Sequence, residues 1–396
     1  MTLTEPTILR TTTAADFLAT VPAVTGFTAR NSIVAVLFRG KRSCGAVRMD
    51  LPRDERTSSY RAVGTWLAAN LGKLPSRTGA RVDGVAIVIY TDETFDERQG
   101  TPHLELWRAI EPKLRRAGAT IKEAACVAAD GWASYLDPRR PRGGRPLAEI
   151  TESSAALEAA FNSGAIPDVS GWSELPPTDP ELAERVHAKI TELLAYGSRL
   201  DSFGIARETS FHPIALAERL IAAGERGEAI GPGELAELNV IAHSPASRDV
   251  LLIALAAGAE HGELALQQQL EYLDRQAETG ETFDELAERS LAERSPSDDD
   301  LFLLGRSRLR PDHDRVITAI EVLRRAAAHA PASRRAGTLC ILTWMLWARG
   351  SQSAAARMHK LAAQCDPNLL MVETLGWLLE SGYPAWAFGQ PEPAQT

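Results

Sequence analysis

The chain has 396 residues, 44% of them hydrophobic and 24% charged, with a net charge of −9 at pH 7. That composition excludes a disordered or fibrous chain, and the length calls for two or more domains. No apolar run reaches the roughly 18 residues that a bilayer span needs, so no membrane partner is expected.

The opening residues 1–12 read as a loose lead-in, without the charged and apolar segments of a secretory signal, so a cytoplasmic location is expected. Thr12 or Thr13 caps a first helix over Ala14–Val21, with Asp16 at the positive end of its dipole and Pro22 at its close. A turn at Gly26-Phe27 feeds the apolar run Ile33–Phe38. The basic turn Arg39-Gly40-Lys41-Arg42 then leads into a second strand, Cys44–Leu51. So short a link makes the pair an antiparallel hairpin.

Pro52-Arg53-Asp54 opens a helix over 55–71, with Val63, Trp66, Leu67 and Leu71 at helical spacing. After a loop over 72–79, Val85–Tyr90 is apolar without alternation, the pattern of a strand covered on both faces. A helix over 102–117 presents Leu104, Trp107, Ile110 and Leu114 on one face and precedes a fourth strand, Ile121–Ala128. Helices separate the second, third and fourth strands, so these three should be parallel, joined by right-handed crossovers. Asp130–Ile150 reads as a long loop rich in Arg and Gly, followed by a helix over 153–162.

Pro, Gly, Ser and Asp crowd the stretch 165–180, the expected linker. Beyond it the pattern is helical throughout, over 181–196, 213–223, 232–243, 247–260, 262–279, 282–293, 298–304, 313–329, 335–348, 352–365 and 368–381. Ala319, Leu323, Ala326 and Pro331 recur 36 residues later as Ala355, His359, Ala362 and Pro367. Small residues at that spacing let two helices pack closely, as in the second half of a tetratricopeptide unit, although the aromatic-glycine signature of its first helix is missing. The predicted fold is therefore an α/β N-terminal domain over 1–164 and an all-α C-terminal domain over 181–388. The first holds a mixed, mostly parallel sheet with an antiparallel edge hairpin. The second is made of helical hairpins, tetratricopeptide-like near the end. A disordered tail follows over 389–396.

Common catalytic signatures are missing: there is no phosphate-loop, dinucleotide, nucleophile-elbow or zinc-protease motif. Cys44, Cys126, Cys340 and Cys365 are far apart and read as small buried hydrophobes, and no histidine pairs with another ligand at metal spacing. What remains is a rim. In open α/β sheets ligands bind beyond the carboxyl ends of parallel strands. Those ends carry Asp50, then Thr91-Asp92-Glu93, then Asp130. Converging there, Asp50, Asp92 and Asp130 would hold Mg²⁺ or serve as general acid and base, with Tyr135 lining the crevice and Arg145 closing over an anion. The competing reading is that an Asp after a strand caps the next turn.

Charge is split along the chain. Residues 1–150 carry 22 Lys and Arg against 16 Asp and Glu, a net of +6, whereas residues 151–396 carry 21 against 36, a net of −15. Arg139, Arg140 and Arg142 would be the contacts for a nucleic-acid backbone or another anion, though no recognition helix or sheet aromatics flank them. Only 6 of the 43 basic residues are Lys, which also fits the codon bias of a GC-rich genome.

Three stretches, ADFLATVPAVTGFTARNSIVAVLFRG, VAIVIYTDE and DGWASYL followed by GGRPL, appear in that order between residues 15 and 147. Together they resemble the actinobacterial proteins grouped as domain of unknown function 4192. The resemblance implies an α/β plus helical build and assigns no activity. The chain departs from it at Leu136-Asp137-Pro138-Arg139, where relatives often carry cysteines, and at Ser170-Gly171.

The expected function is that of a non-catalytic interaction or regulatory protein without a cofactor, whose helical domain binds a protein partner or a second copy. Two alternatives stand beside it. One is a small-ligand or metal-dependent enzyme or sensor at the strand-end rim. The other is a nucleic-acid-associated factor acting through the basic N-terminal half.

Overall fold

A computed structural model describes residues 11–25, 28–71, 82–163, 171–197, 212–281, 301–307 and 309–382, together with residues 289, 384 and 386. The chain divides into two compact units, with the boundary between Gly171 and Trp172. The first is α/β and the second all-helical. The Gly26-Phe27 turn, the 72–79 loop, the 389–396 tail and nearly all of the 282–293 helix lie outside the described residues.

In the first unit, α1 (Ala14–Thr25) opens on a reciprocal cap. The Asp16 N–H donates to Thr13 Oγ1 at 3.1 Å, and the Thr13 N–H donates back to the Asp16 carboxylate at 3.0 Å. Pro22 does not end this helix as expected but lies inside it. A proline there removes one backbone hydrogen bond. The buried stripe Ala15, Leu18 and Val21 outweighs that loss.

Five strands form one sheet in the order β2-β1-β3-β4-β5. They are β1 (Ser32–Arg39), β2 (Arg42–Asp50), β3 (Gly84–Tyr90), β4 (Thr120–Val127) and β5 (Trp132–Ser134). β1 pairs antiparallel with both β2 and β3, β3 pairs parallel with β4, and β5 pairs antiparallel with β4. Hence β2, β3 and β4 run in one direction, as their helical links require. The hairpin folds β1 inward, between β2 and β3, so only β3 and β4 are parallel neighbours. The centre is dry: Ile33, Val34, Val36 and every side chain from Val85 to Ile89 are fully buried.

The helices of this unit are α2 (Thr57–Leu71), α3 (Phe95–Arg98), α4 (Leu104–Arg116), α5 (Ala148–Thr151) and α6 (Ser154–Ser163). β5 and α5 fall in the stretch expected to be loop. Both are too short, at 3 and 4 residues, to leave a periodic signal. The register then fixes the rim. Ser32 stands opposite Asp50 on one side and Tyr90 on the other, and Tyr90 stands opposite Val127.

The second unit comprises α7 (Pro180–Gly197), α8 (Pro213–Glu225), α9 (Pro232–His243), α10 (Pro245–Ala257), α11 (Ala259–Thr279), α12 (His313–His329), α13 (Ala336–Ala348), α14 (Gln352–Cys365) and α15 (Leu370–Ser381). Pro213, Pro232 and Pro245 each start a helix, where the missing N–H would have been unpaired anyway. All 13 residues of α13 are buried, so it turns no face to water and other helices pack around it. Ala319, Leu323 and Ala326 on α12 and Ala355 and Ala362 on α14 are buried, which is the packing use their 36-residue repeat implied. No helix among the described residues is long and apolar enough to cross a membrane.

A buried polar staple ties α9, α12 and α13 together. Thr338 donates to Asn239 Oδ1 at 2.8 Å, and Asn239 Nδ2 donates to the Ala326 carbonyl at 3.2 Å and the Leu235 carbonyl at 2.7 Å. Beside it, Gly337 lets α13 approach the α9 backbone so closely that a Cβ would stand 2.0 Å from the Ala242 oxygen. Gly337→Ala is expected to lower stability by about 2–3 kcal/mol, because backbone cannot yield as a side-chain tip can. Urea unfolding of the two proteins measures the difference.

Candidate functional site

The acids predicted to share a site all reach the C-terminal rim of the sheet, yet each is turned to a partner of its own. Asp50, on β2, accepts from the buried Arg48 at 2.8 Å. Asp92, after β3, is held by Arg30 at 2.9 Å and by the Asn31 amide at 2.7 Å. Both groups keep its carboxyl below the usual range. Asp130, after β4, accepts from the Phe95 N–H at 3.0 Å, at the start of α3. Neighbouring strands lie about 4.8 Å apart, so β2 stands about 10 Å from β3 and about 14 Å from β4. Carboxylates sharing an ion must meet it at about 2.3–2.6 Å. The structure turns Asp50, Asp92 and Asp130 to three separate protein donors. No group of three His, Cys, Asp or Glu placed to hold a metal occurs among the described residues.

Tyr135 and the arginine loop are equally occupied. The Tyr135 hydroxyl donates to the Pro102 carbonyl at 2.8 Å, and its buried ring stacks on Trp107 at 5.9 Å. Arg145 pairs with Asp137 at 2.9 Å and lies 5.6 Å from the centre of the Trp132 ring. Arg140 donates to the Thr101 hydroxyl and to the carbonyls of Tyr135 and Asp137. Arg139 and Arg142 are exposed. The loop is thus pinned from inside by two of its own arginines.

What the rim does assemble is a group centred on the β3–α4 connection. Arg98, on α3, binds Glu93 at 2.7 Å and also pairs with Glu55. The imidazole Nε2 of His103 sits 3.2 Å from Thr91 Oγ1 and 3.5 Å from Glu93. Among the described residues, positive φ outside glycine occurs at Asn31, Gln99 and His103, all on loops of this rim. Such backbone is costly, and it persists only where its surroundings hold it. Here the Asn31 amide is locked to Asp92, Gln99 closes α3 through its N–H to the Asp96 carbonyl, and the His103 ring is set against Thr91.

The electrostatics follow from burial and pairing. Burial pushes the His103 pKa below its ordinary value, and the nearby Glu93 only partly offsets this. The hydrogen bonds from Arg98 hold Glu93 low. At neutral pH the site holds a neutral imidazole, a hydroxyl and an ionised carboxylate. It is not a nucleophilic relay. In that arrangement hydroxyl and carboxylate occupy opposite ring nitrogens, whereas here both face Nε2. The chemistry available is hydrogen bonding to a ligand, or proton exchange through one imidazole.

Sequence reasoning reached Thr91 and Glu93 through their place after β3, and missed His103 and Arg98. The usable signal was position alone: both lie on the 91–103 segment that links β3 to α4 over the rim.

Both shifts weaken the fold as pH falls, in different windows. The depressed His103 pKa adds stability that is complete above the unfolded value near 6.5 and is lost as pH falls through the lower folded value. Glu93, also depressed, adds stability that is lost only below its unfolded value near 4.3. Denaturant unfolding between pH 7 and 5 is expected to show the wild type weakening with acid, and His103→Asn losing less over the same range.

The family model described as "Domain of unknown function (DUF4192)" matches residues 15–294. No curated protein and no solved structure matches the chain. The match spans the α/β unit, the rim and the helices through α11, more than half of the chain, and the protein belongs to the DUF4192 family.

Proposed function

We propose that the protein is a non-catalytic interaction or regulatory factor of an actinobacterial cytoplasm, and that its helical unit binds a protein partner. One observation carries this reading. The last helix among the described residues, α15, buries Met371, Val372, Leu375 and Leu378 on its inner side, while Leu370 and Trp377 stand 58% and 47% exposed. The two exposed residues are seven apart, two turns of helix, and so share a face. The outer face of a terminal helix in a stack is usually polar, and an exposed tryptophan is the side chain most often found at the energetic centre of an interface. Arg306 lies 5.3 Å from the centre of the Trp377 ring and leaves it a cationic flank. The partner that fits is an apolar patch edged with carboxylates.

Two further features support the reading. Each rim acid is spent on a protein donor. Cys126 and Cys340 are free, buried thiols, each pushed up to about 12 by burial, which suits a reducing compartment and leaves them unreactive.

A second reading, a small-ligand sensor at the rim, is favoured by the left-handed residues clustered round His103. A fragment titration followed on the imidazole resonances tests it. Shifts confined to His103 support it, and a His103 signal that never moves apart from those of His329 and His359 sinks it.

For the first reading, the comparison is between the wild type and Leu370→Ser/Trp377→Ala as baits in lysate of the source cell. Both side chains are exposed, so the change in stability is expected to stay within about 1 kcal/mol. A protein captured by the wild type and lost with the double variant is the expected result. Equal capture by both, or self-association unchanged by the substitutions as the only contact, overturns it.

A further inference from the structure

α2 and α4 pack side by side in the first unit. They meet where Gly64 faces the α4 backbone, and a Cβ there would stand 3.0 Å from the Ala109 oxygen and 3.1 Å from the Ile110 Cα. Beside that crossing opens a groove of about 610 Å³. Its charged lining is Arg61, Arg108, Lys113 and Arg116, with Glu55 and Glu105 as the acids.

The acids are already engaged. Glu105 pairs with Arg108 at 2.5 Å, and Glu55 pairs with Arg98. Three of the four cations have no such partner. Among the described residues neither Arg61 nor Arg116 has an ion pair, and the Lys113 ammonium donates to the neutral Thr65 hydroxyl at 2.6 Å. The lining therefore carries four cations against two carboxylates, a net of +2, with Arg61, Lys113 and Arg116 outside any ion pair among the described residues. Gathered in this way they repel one another and raise the local concentration of anions.

The shape and the residue types narrow the ligand. The volume lies within the range of about 300–1,000 Å³ typical of small-molecule sites, too small for a protein or a duplex to enter. Two of the three free cations are arginines, whose planar forks grip phosphate oxygens two at a time. The aromatic ring in the lining, Tyr60, is only 8% exposed and offers no face on which a base would stack. Recognition would thus rest on phosphate groups and not on a nucleobase.

We propose that the α2–α4 groove binds a small ligand bearing several phosphate groups, with Arg61, Lys113 and Arg116 as its contacts. The site adjoins the rim through the Glu55–Arg98 pair but shares none of its proposed contacts with the rim or the Arg139–Arg145 loop, and it is independent of the partner-binding reading of the helical unit.

The test is calorimetric titration of the full chain with inorganic tripolyphosphate at constant ionic strength. Saturable binding is expected, weakened by about tenfold or more in Arg61→Ala/Arg116→Ala, since each removes a charge-assisted contact. Both arginines are exposed, so the double variant should keep its thermal melt. Arg139→Ala/Arg142→Ala removes the same charge elsewhere and should leave binding unchanged. Lys113→Gln provides an independent second variant. Absence of saturable binding, or equal loss in the two double variants, overturns the site. Equal affinity for citrate would reduce it to bare charge attraction, and tighter binding of a short single-stranded oligonucleotide would make it a nucleic-acid surface. Either outcome overturns the proposed ligand class.

Discussion

β3 buries every side chain from Val85 to Ile89, and the rest of the α/β unit answers that requirement. A strand apolar on both faces must be covered on both, and its backbone must pair on both edges. β1 supplies one edge and β4 the other. Because β1 is the first half of a tight hairpin, β2 is carried to the outside. The same arrangement brings Asp50, Ser32, Tyr90 and Val127 into one row, and so builds the rim.

The rim is rich in charge but self-contained. A carboxylate on an exposed loop is free to bind a ligand only if no nearer donor takes it. Here Arg48, Arg30, Asn31, Arg98 and the Phe95 N–H take theirs. The flank formed by α2 and α4 has the opposite character. Its acids are paired, while Arg61 and Arg116 face solvent. One unit thus holds a neutralised edge and an unneutralised groove, and only the latter has charge to spare for an anion.

The helical unit rests on a different constraint. α13 is buried on every side, so its contacts are set by volume rather than by an amphipathic stripe. Gly337 at the α9 crossing and the Asn239–Thr338 staple fix one packing among those that so buried a helix would permit. An aromatic cluster of Phe302, Trp344, Trp347 and Trp386 closes the end of the stack. Each indole N–H of its tryptophans is matched to a backbone carbonyl, those of Leu303, Gly382 and Ala348.

Local chemistry in the sequence determined most of the elements. The Thr13–Asp16 cap, the short Arg39–Arg42 turn, the unbroken apolar run of β3 and the prolines that open α8, α9 and α10 each act over a few residues. That is why the helix and strand positions, the split into α/β and helical parts, and the common direction of β2, β3 and β4 could be read directly. Contacts between distant segments were decided only by the tertiary structure. Strand order is such a contact, since a hairpin folds to either side of a core strand with the same local pattern. So is the fate of each acid. Asp92 follows β3 in the chain, but Arg30 lies 62 residues away, and only the pairing of β1 with β3 sets the two side by side. His103 and Thr91 meet for the same reason: a hydrogen bond across a loop depends on where the chain returns, and no residue type announces that in advance.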